Sequence, residues 1–291
     1  MDPLAESVEQ LASLLGAAEG TPAPLEGGIT NRNYRARFAG AEVVIRLPGK
    51  DTGQLEIDRQ AERVANENAA AAGVAPAVAA MLEQPPCLVT RFLEGRQMSA
   101  DELREPAALV EVAVALRLVH GGGELPVSFS PFRIVETYAE RAAGRGAEVP
   151  AEYEWAKGEA ARIEVALDAR GEAPVPCHND LLAANFLRTA DGIRIVDWEY
   201  AGMGDRFFDL GNFAVNNELD AGQEAALLAA YFGRPADAGE LAALTMMRFM
   251  SDFREAMWGV LQGALSDLDF DFAGYAAEHF GRLREASGAA G

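Results

Sequence analysis

Apolar residues at Leu4, Val8, Leu11, Leu14 and Leu15 return at three- and four-residue intervals, the period of one helix face, so the chain is predicted to open with an amphipathic helix ending near Gly16. After Thr21-Pro22-Ala23-Pro24 comes a glycine turn, Glu26-Gly27-Gly28-Ile29-Thr30-Asn31-Arg32-Asn33, which feeds two strands, Tyr34 to Phe38 and Glu42 to Leu47, around Ala39-Gly40-Ala41. An Ala-rich helix is predicted from Leu55 to Gly73, followed by a second strand pair, Val78 to Met81 and Cys87 to Phe92, around Pro85-Pro86. The pattern changes after Leu93-Glu94-Gly95. From there it is mainly helical, at about Glu105 to His120, Val135 to Ala143, Tyr153 to Ala169, Phe207 to Asn216, Glu224 to Phe232, Ala238 to Leu265 and Phe272 to Ala286. One β-hairpin interrupts the helices: Phe186-Leu187-Arg188 and Ile193-Arg194-Ile195-Val196 flank Thr189-Ala190-Asp191-Gly192, and Asp-Gly is a strong turn signal. The tail from Ser287 consists of small residues with nothing to anchor it, and is expected to fray.

These elements imply an α+β fold of two lobes, a small β-rich lobe over residues 1–94 and a larger, mostly helical one over 95–291. A hydrophobic content of 49% in 291 residues supports substantial cores and excludes a disordered chain. No apolar run reaches the length of a membrane span, and the N-terminal residues lack the basic and apolar regions of a signal peptide, so a cytoplasmic protein is expected. Cys87 and Cys177 are too few for a disulfide framework or a thiolate zinc site. The formal charge of −20 argues against nucleic acid as a partner, because that interaction depends on Lys and Arg meeting phosphates. It suits a cationic substrate, although acidity also serves plain solubility.

The chemistry concentrates in Cys177-His178-Asn179-Asp180-Leu181-Leu182-Ala183-Ala184-Asn185 and in Asp197-Trp198-Glu199-Tyr200 twelve residues later. The first stretch follows the His-x-Asp-Leu-x-x-x-Asn pattern of a kinase catalytic loop. Phosphoryl transfer needs one carboxylate facing the acceptor hydroxyl and oxygen ligands that hold magnesium on the phosphates. Asp180 is the candidate for the first task, and Asn185 and Asp197 for the second. The intervening hairpin would bring Asn185 and Asp197 together, and magnesium takes one or two protein oxygens, leaving the rest to phosphate and water. Each residue alone would be unremarkable, and His178 could be a core histidine satisfied by backbone. The ordered set carries the assignment.

On the nucleotide side there is no Gly-x-x-x-x-Gly-Lys-Ser/Thr, which argues against a P-loop. Gly28, within Gly27-Gly28, could let backbone amides approach phosphates, with Thr30 and Asn31 as further donors. A Gly-Gly pair alone is more often a turn. In Val43-Val44-Ile45-Arg46 an arginine stands where a kinase strand has lysine; Arg46 can pair with phosphate and with a carboxylate on the next helix, for which Glu62 is the candidate, Glu56 and Glu67 being on other turns. Arg91 and Phe92, where the last strand runs into the hinge, are assigned to the nucleotide side as well.

Together these residues resemble the choline/ethanolamine kinase family, within the wider aminoglycoside-phosphotransferase-like kinase superfamily. The resemblance runs from Gly27-Gly28-Ile29-Thr30-Asn31 through Arg46-Leu47-Pro48-Gly49 and Asp58-Arg59-Gln60-Ala61-Glu62 to the last helix, and the bacterial choline-kinase type is similar in its Asp-Trp-Glu-Tyr-Ala-Gly segment. It implies a two-lobed, protein-kinase-like fold that uses ATP and Mg2+ to phosphorylate the hydroxyl of a small cationic amino-alcohol, most simply choline. By the same resemblance Tyr200, Trp258 and Tyr275 line the acceptor pocket. A quaternary ammonium has no N–H to donate, so aromatic faces and carboxylates must hold it. Packing alone would also explain the two helical aromatics. Two positions depart from the animal-type pattern: Asn216 replaces a glutamate, and Glu255 replaces a second tryptophan. Glu255, Asp252 or Glu218 could supply the missing charge or bind a primary amine. Asp209 and His178 are expected to brace the catalytic loop. Ethanolamine, thiamine or an aminoglycoside are alternative acceptors, a non-catalytic nucleotide-binding regulator is the rival of another class, and the oligomeric state is left open.

Overall fold

The computed structural model describes residues 2–25, 31–49, 52–266 and 268–288. Helix α1 (Pro3–Leu15) begins where Asp2 caps the amide of Leu4, and its Leu11 is fully buried under the first sheet. That sheet is antiparallel, with strands β1 (Ala18–Leu25), β2 (Asn31–Phe38), β3 (Ala41–Pro48), β4 (Val78–Glu83) and β5 (Pro86–Arg91) in the order β1-β2-β3-β5-β4. Alternation along β3 turns Val43, Ile45 and Leu47 inward onto Leu11, Phe38, Leu82 and Val89, and leaves Val44 and Arg46 on the opposite face. The side chain at position 46 therefore points away from the small core, toward the second lobe.

Two sequence expectations change here. The stretch around Thr21-Pro22-Ala23-Pro24, given no element in the sequence reading, is the edge strand β1, which pairs with β2 across an irregularity between Glu19 and Ala23. Proline is tolerated at an edge because one side of the strand needs no partner. The long helix starts later than Leu55: Thr52–Leu55 is a 3-10 turn, Glu56 takes φ 61°, and α2 runs over Arg59–Ala71, with Asp58 accepting the amide of Ala61 at 2.8 Å. A buried Glu62 in its first turn results.

Beyond the hinge, β6 (Gly95–Gln97) pairs with β8 (Phe186–Thr189), which pairs with β9 (Gly192–Ile195), while β7 (Val175–Cys177) pairs with β10 (Gly202–Gly204). At three residues each, β6, β7 and β10 are too short to show alternation, which is why the pattern missed them. Around these small sheets lie α3 (Ala100–Leu103), α4 (Pro106–His120), α5 (Pro131–Gly144), α6 (Glu152–Asp168), α7 (Arg206–Asn216), α8 (Ala221–Phe232), α9 (Ala238–Leu265) and α10 (Phe272–Gly288). Helix α9 is the spine of this lobe, packed on α5, α7 and α10. The crossings are close. A Cβ on Gly211 would lie 2.8 Å from the Arg248 amide nitrogen, and one on Gly259 would lie 3.1 Å from the Tyr275 ring. The second approach sets Tyr275 beside Trp258.

Candidate active site

The catalytic segment leaves β7 at Cys177 and is held by groups far away in sequence. Asp209, in the first turn of α7, accepts the amides of His178 at 2.9 Å and Asn179 at 2.7 Å. His120 supports it from behind, its Nε2 3.0 Å from Asp209 Oδ2 and its Nδ1 2.7 Å from the Tyr231 hydroxyl. Burial pushes the Asp209 carboxyl up, yet the contacts with His120 and the loop amides hold it below its usual range. Asn217 Nδ2 donates to the carbonyl of Leu181, and Asn212 accepts the Leu181 amide. Asn179 sits at φ 67° with its side chain donating to the Tyr200 carbonyl at 3.0 Å. A non-glycine residue costs about 1–3 kcal/mol in that region and persists where its surroundings over-determine it.

His178 is enclosed. Its Nδ1 accepts the amide of Asp180 at 3.2 Å and its Nε2–H donates to the Val196 carbonyl at 3.0 Å, which fixes a neutral ring. Burial pushes its pKa down to about 4. It thus ties the loop carrying Asp180 to the strand end carrying Asp197, the bracing expected of it and of Asp209.

The hairpin register sets Phe186 opposite Ile195, and the Val196 amide donates to the Asn185 carbonyl at 3.0 Å. Asn185 and Asp197 therefore leave neighbouring rungs. Asn185 Nδ2 donates to the Asp180 carbonyl at 2.8 Å and to its Oδ2 at 3.2 Å, so the amide oxygen turns the other way. Asp197 holds φ 69°. Asp180 is 8% exposed, and burial raises its pKa to about 7, offset in part by Arg254 and reinforced by Glu255, Asp197 and Glu199. A carboxylate so poised can take a proton near neutrality.

Arg46 crosses from β3 to this corner. It hydrogen-bonds Asp197, and lies 3.4 Å from both Glu62 and Glu199. Arg59 joins the cluster 2.7 Å from Glu62 and 3.3 Å from Glu199. Asn31, expected among the nucleotide-binding residues, directs its Nδ2 to Glu199 at 2.9 Å. Glu62 stands behind Arg46. Gly28 and Thr30 lie outside the described residues.

On the other side of Asp180, Trp258 and Tyr275 meet edge to face with centroids 5.6 Å apart, and Trp258 Nε1 donates to the Tyr200 hydroxyl at 3.2 Å. Glu255 accepts the Tyr275 hydroxyl at 2.7 Å through Oε2, and Arg254 at 2.5 Å through Oε1. The guanidinium of Arg254 lies 4.3 Å over the Tyr200 ring. A continuous cavity of about 490 Å³ joins the two sides. Arg46, Arg91 and Phe92 line one end, Tyr200, Glu255, Trp258 and Tyr275 the other, with Asp180, Asn185 and Asp197 between. Asp252 is engaged elsewhere, 2.8 Å from His279, and Glu218 pairs with Arg104.

Sequence reasoning gave no role to Arg59, Glu199 or Arg254. The signal for the last was present: Arg254-Glu255 is a charged doublet inside the apolar run Phe253 to Trp258, and buried charges occur almost only in pairs.

A sheet lobe and a helical lobe enclosing a cleft, with a carboxylate and two metal-type oxygen donors at its floor, define a protein-kinase-like phosphotransferase. The comparisons agree: the family model described as "Phosphotransferase enzyme family" matches residues 21–244. A choline/ethanolamine kinase family protein from Mesorhizobium loti has the same fold at TM-score 0.83 and 33% identity, over 97% of this chain and 94% of that one. The chain belongs to the phosphotransferase enzyme family and, within it, to the choline/ethanolamine kinases. It is 28% identical over 265 residues to ethanolamine kinase 2 of Rattus norvegicus, covering 82% of this chain and 68% of the relative. Choline kinase LicA from Streptococcus pneumoniae shares the fold at TM-score 0.81 and 22% identity, over 98% of this chain and 99% of that one. The protein is thus an alcohol-accepting kinase of an ATP-using family. No helix among the described residues is long and apolar enough to cross a membrane.

Proposed function

We propose that this enzyme transfers the γ-phosphate of magnesium-ATP to the hydroxyl of choline, giving phosphocholine and ADP. The observation that carries the reading is the aromatic corner of Trp258 and Tyr275, with Tyr200, opening into the same cavity as Asp180. A quaternary ammonium gains from such faces by cation–π attraction and needs no hydrogen-bond acceptor. A primary ammonium brings three donors that each need an acceptor, and the Glu255 carboxylate already has the Arg254 cation and the Tyr275 hydroxyl as partners. That difference favours choline over ethanolamine.

The lobes divide the work at residues 94 and 95. Val44 and Leu88 on one side and Leu187 and Val196 on the other form an apolar slot suited to a purine ring. Arg46, positioned by Glu62, steadies the phosphates, and Arg91 and Phe92 border the nucleotide where the strand meets the hinge. The donor set fits magnesium: the hydrogen bonds of Asn185 Nδ2 turn its amide oxygen away from Asp180, and Asp197 adds a carboxylate. Asn185 and Asp197 would hold the ion, and when bound it would supply positive charge against the charge that grows on the leaving ADP. Asp180 orients the acceptor hydroxyl and takes its proton as the oxygen bonds to phosphorus and the bridging oxygen of ADP departs.

ADP release with magnesium-ATP, measured against choline, ethanolamine, thiamine and kanamycin, tests this. Saturable turnover with choline well above ethanolamine is expected. Preference for another acceptor would remove choline and keep the kinase, whereas silence across the panel would favour a nucleotide-binding regulator.

A further inference from the structure

Arg254 belongs to no motif of phosphoryl transfer, yet it occupies the centre of the acceptor side. Its side chain is 1% exposed. One nitrogen, Nη1, lies 3.3 Å from Asp180 Oδ1 and 2.5 Å from Glu255 Oε1, while Nε and Nη2 have no hydrogen-bond partner. A buried guanidinium so incompletely paired is a poor way to stabilise a helix, since an apolar side chain would fill the space without the desolvation cost. Its arrangement makes sense through what it joins.

Asp180 and Glu255 are two buried carboxylates that would repel each other. Sharing one nitrogen between them keeps the two bonded oxygens within about 6 Å, the upper limit set by those two contacts. Stacking on Tyr200, itself hydrogen-bonded to Trp258, prevents the guanidinium from swinging away. Asp180 faces the acceptor hydroxyl, and Glu255 with Tyr275 frames the acceptor's cationic end. The bridge therefore sets the spacing between the two ends of the substrate site.

We propose that Arg254 is a positioning residue that acts as a length gauge, making the enzyme select amino-alcohols with two carbons between hydroxyl and ammonium over those with three. The inference rests on the amino-alcohol reading above. Arg254 touches no reacting atom in this role; it acts through Asp180 and Glu255.

The test compares kcat/KM for choline and for its homologue, 3-hydroxypropyl-trimethylammonium, in the wild type and in Arg254→Met. One methylene is worth roughly 10- to 200-fold in a fitted site, so the wild type is expected to prefer choline by about tenfold or more. In Arg254→Met the two carboxylates spread, and the preference should shrink to within about threefold while the KM for ATP stays near wild type. The ratio cancels any common loss of folded enzyme or of turnover. Equal losses on both acceptors, with the preference intact, would overturn the gauge and leave Arg254 a counter-ion. Should Arg254→Met fail to fold, Glu255→Gln weakens the same bridge from its other end, and an unchanged ratio there overturns the proposal equally. A wild type inactive on both acceptors refutes the amino-alcohol reading itself, and that result appears before any substitution is made.

Discussion

Arg46, half-buried, and Arg254, fully buried, are both shared among carboxylates and stand at opposite ends of one cavity. Their partners differ in origin. Those of Arg46 come from two lobes, Glu62 on α2 and Asp197 with Glu199 beyond β9, so its pairing depends on how the sheet lobe sits on the helical one. Those of Arg254 come from one lobe, its neighbour Glu255 and the catalytic loop, all resting on the α9 core. In the proposed reading the first cluster is an inter-lobe clasp at the phosphates and the second a built-in frame at the acceptor. One side-chain chemistry thus joins two lobes at one end and fixes geometry within one lobe at the other.

Asp180 belongs to the second cluster and lines the same cavity as Asn185 and Asp197, so the largest effect is expected there. Asp180→Asn should lower kcat by about 10³-fold while a thermal melt stays close to wild type, because the shape is kept and the proton acceptor is lost. Near-normal turnover would sink the catalytic assignment. The loop frame common to both clusters is open to a pH measurement. Folded His178 takes a proton only near pH 4, whereas an unfolded histidine takes one near 6.5. Between these values the unfolded chain binds the extra proton, so acidification should cost the fold about 3 kcal/mol, complete below about pH 4. Asp180, raised to about 7, works in the opposite sense. The difference in denaturant stability between wild type and His178→Gln isolates the histidine, and a pH-independent difference would contradict its neutral burial.

The two ends can then be separated. Arg46→Met removes a charged donor from the phosphate side and should raise the KM for ATP about tenfold or more, with little change for the acceptor. Trp258→Ala removes one aromatic face and should raise the choline KM by about tenfold, leaving that for ATP. If either substitution moved both constants equally, the division into a nucleotide clasp and an acceptor frame would fail, and packing would explain Trp258.

Much of the catalytic set could be read in advance, because Asp180, Asn185 and Asp197 fall within eighteen residues and a hairpin with an Asp-Gly turn visibly connects them. Arg46 was accessible through its place in the kinase-like strand pattern Val43-Val44-Ile45-Arg46, and Glu62 through helix phase. Arg59 and Glu199 were not, since the ion pair between them forms only when α2 meets the turn that follows β9. The elements show the same division. Helix α9 was located to the residue and the other long helices to within about four positions, whereas the proline-bearing edge strand β1 and the three-residue strands β6, β7 and β10 carry too little period to be seen.

The linear chain determined the helices, the inward faces of the longer strands and the order of the catalytic residues, because each is set by contacts within a few positions. Only the tertiary structure decided that His120 supports Asp209 from behind, that Asn31 reaches Glu199, and that Arg254 lies on Tyr200 between Asp180 and Glu255. Those contacts join segments up to 168 residues apart, and a buried charge finds its partner through packing geometry rather than through spacing along the chain.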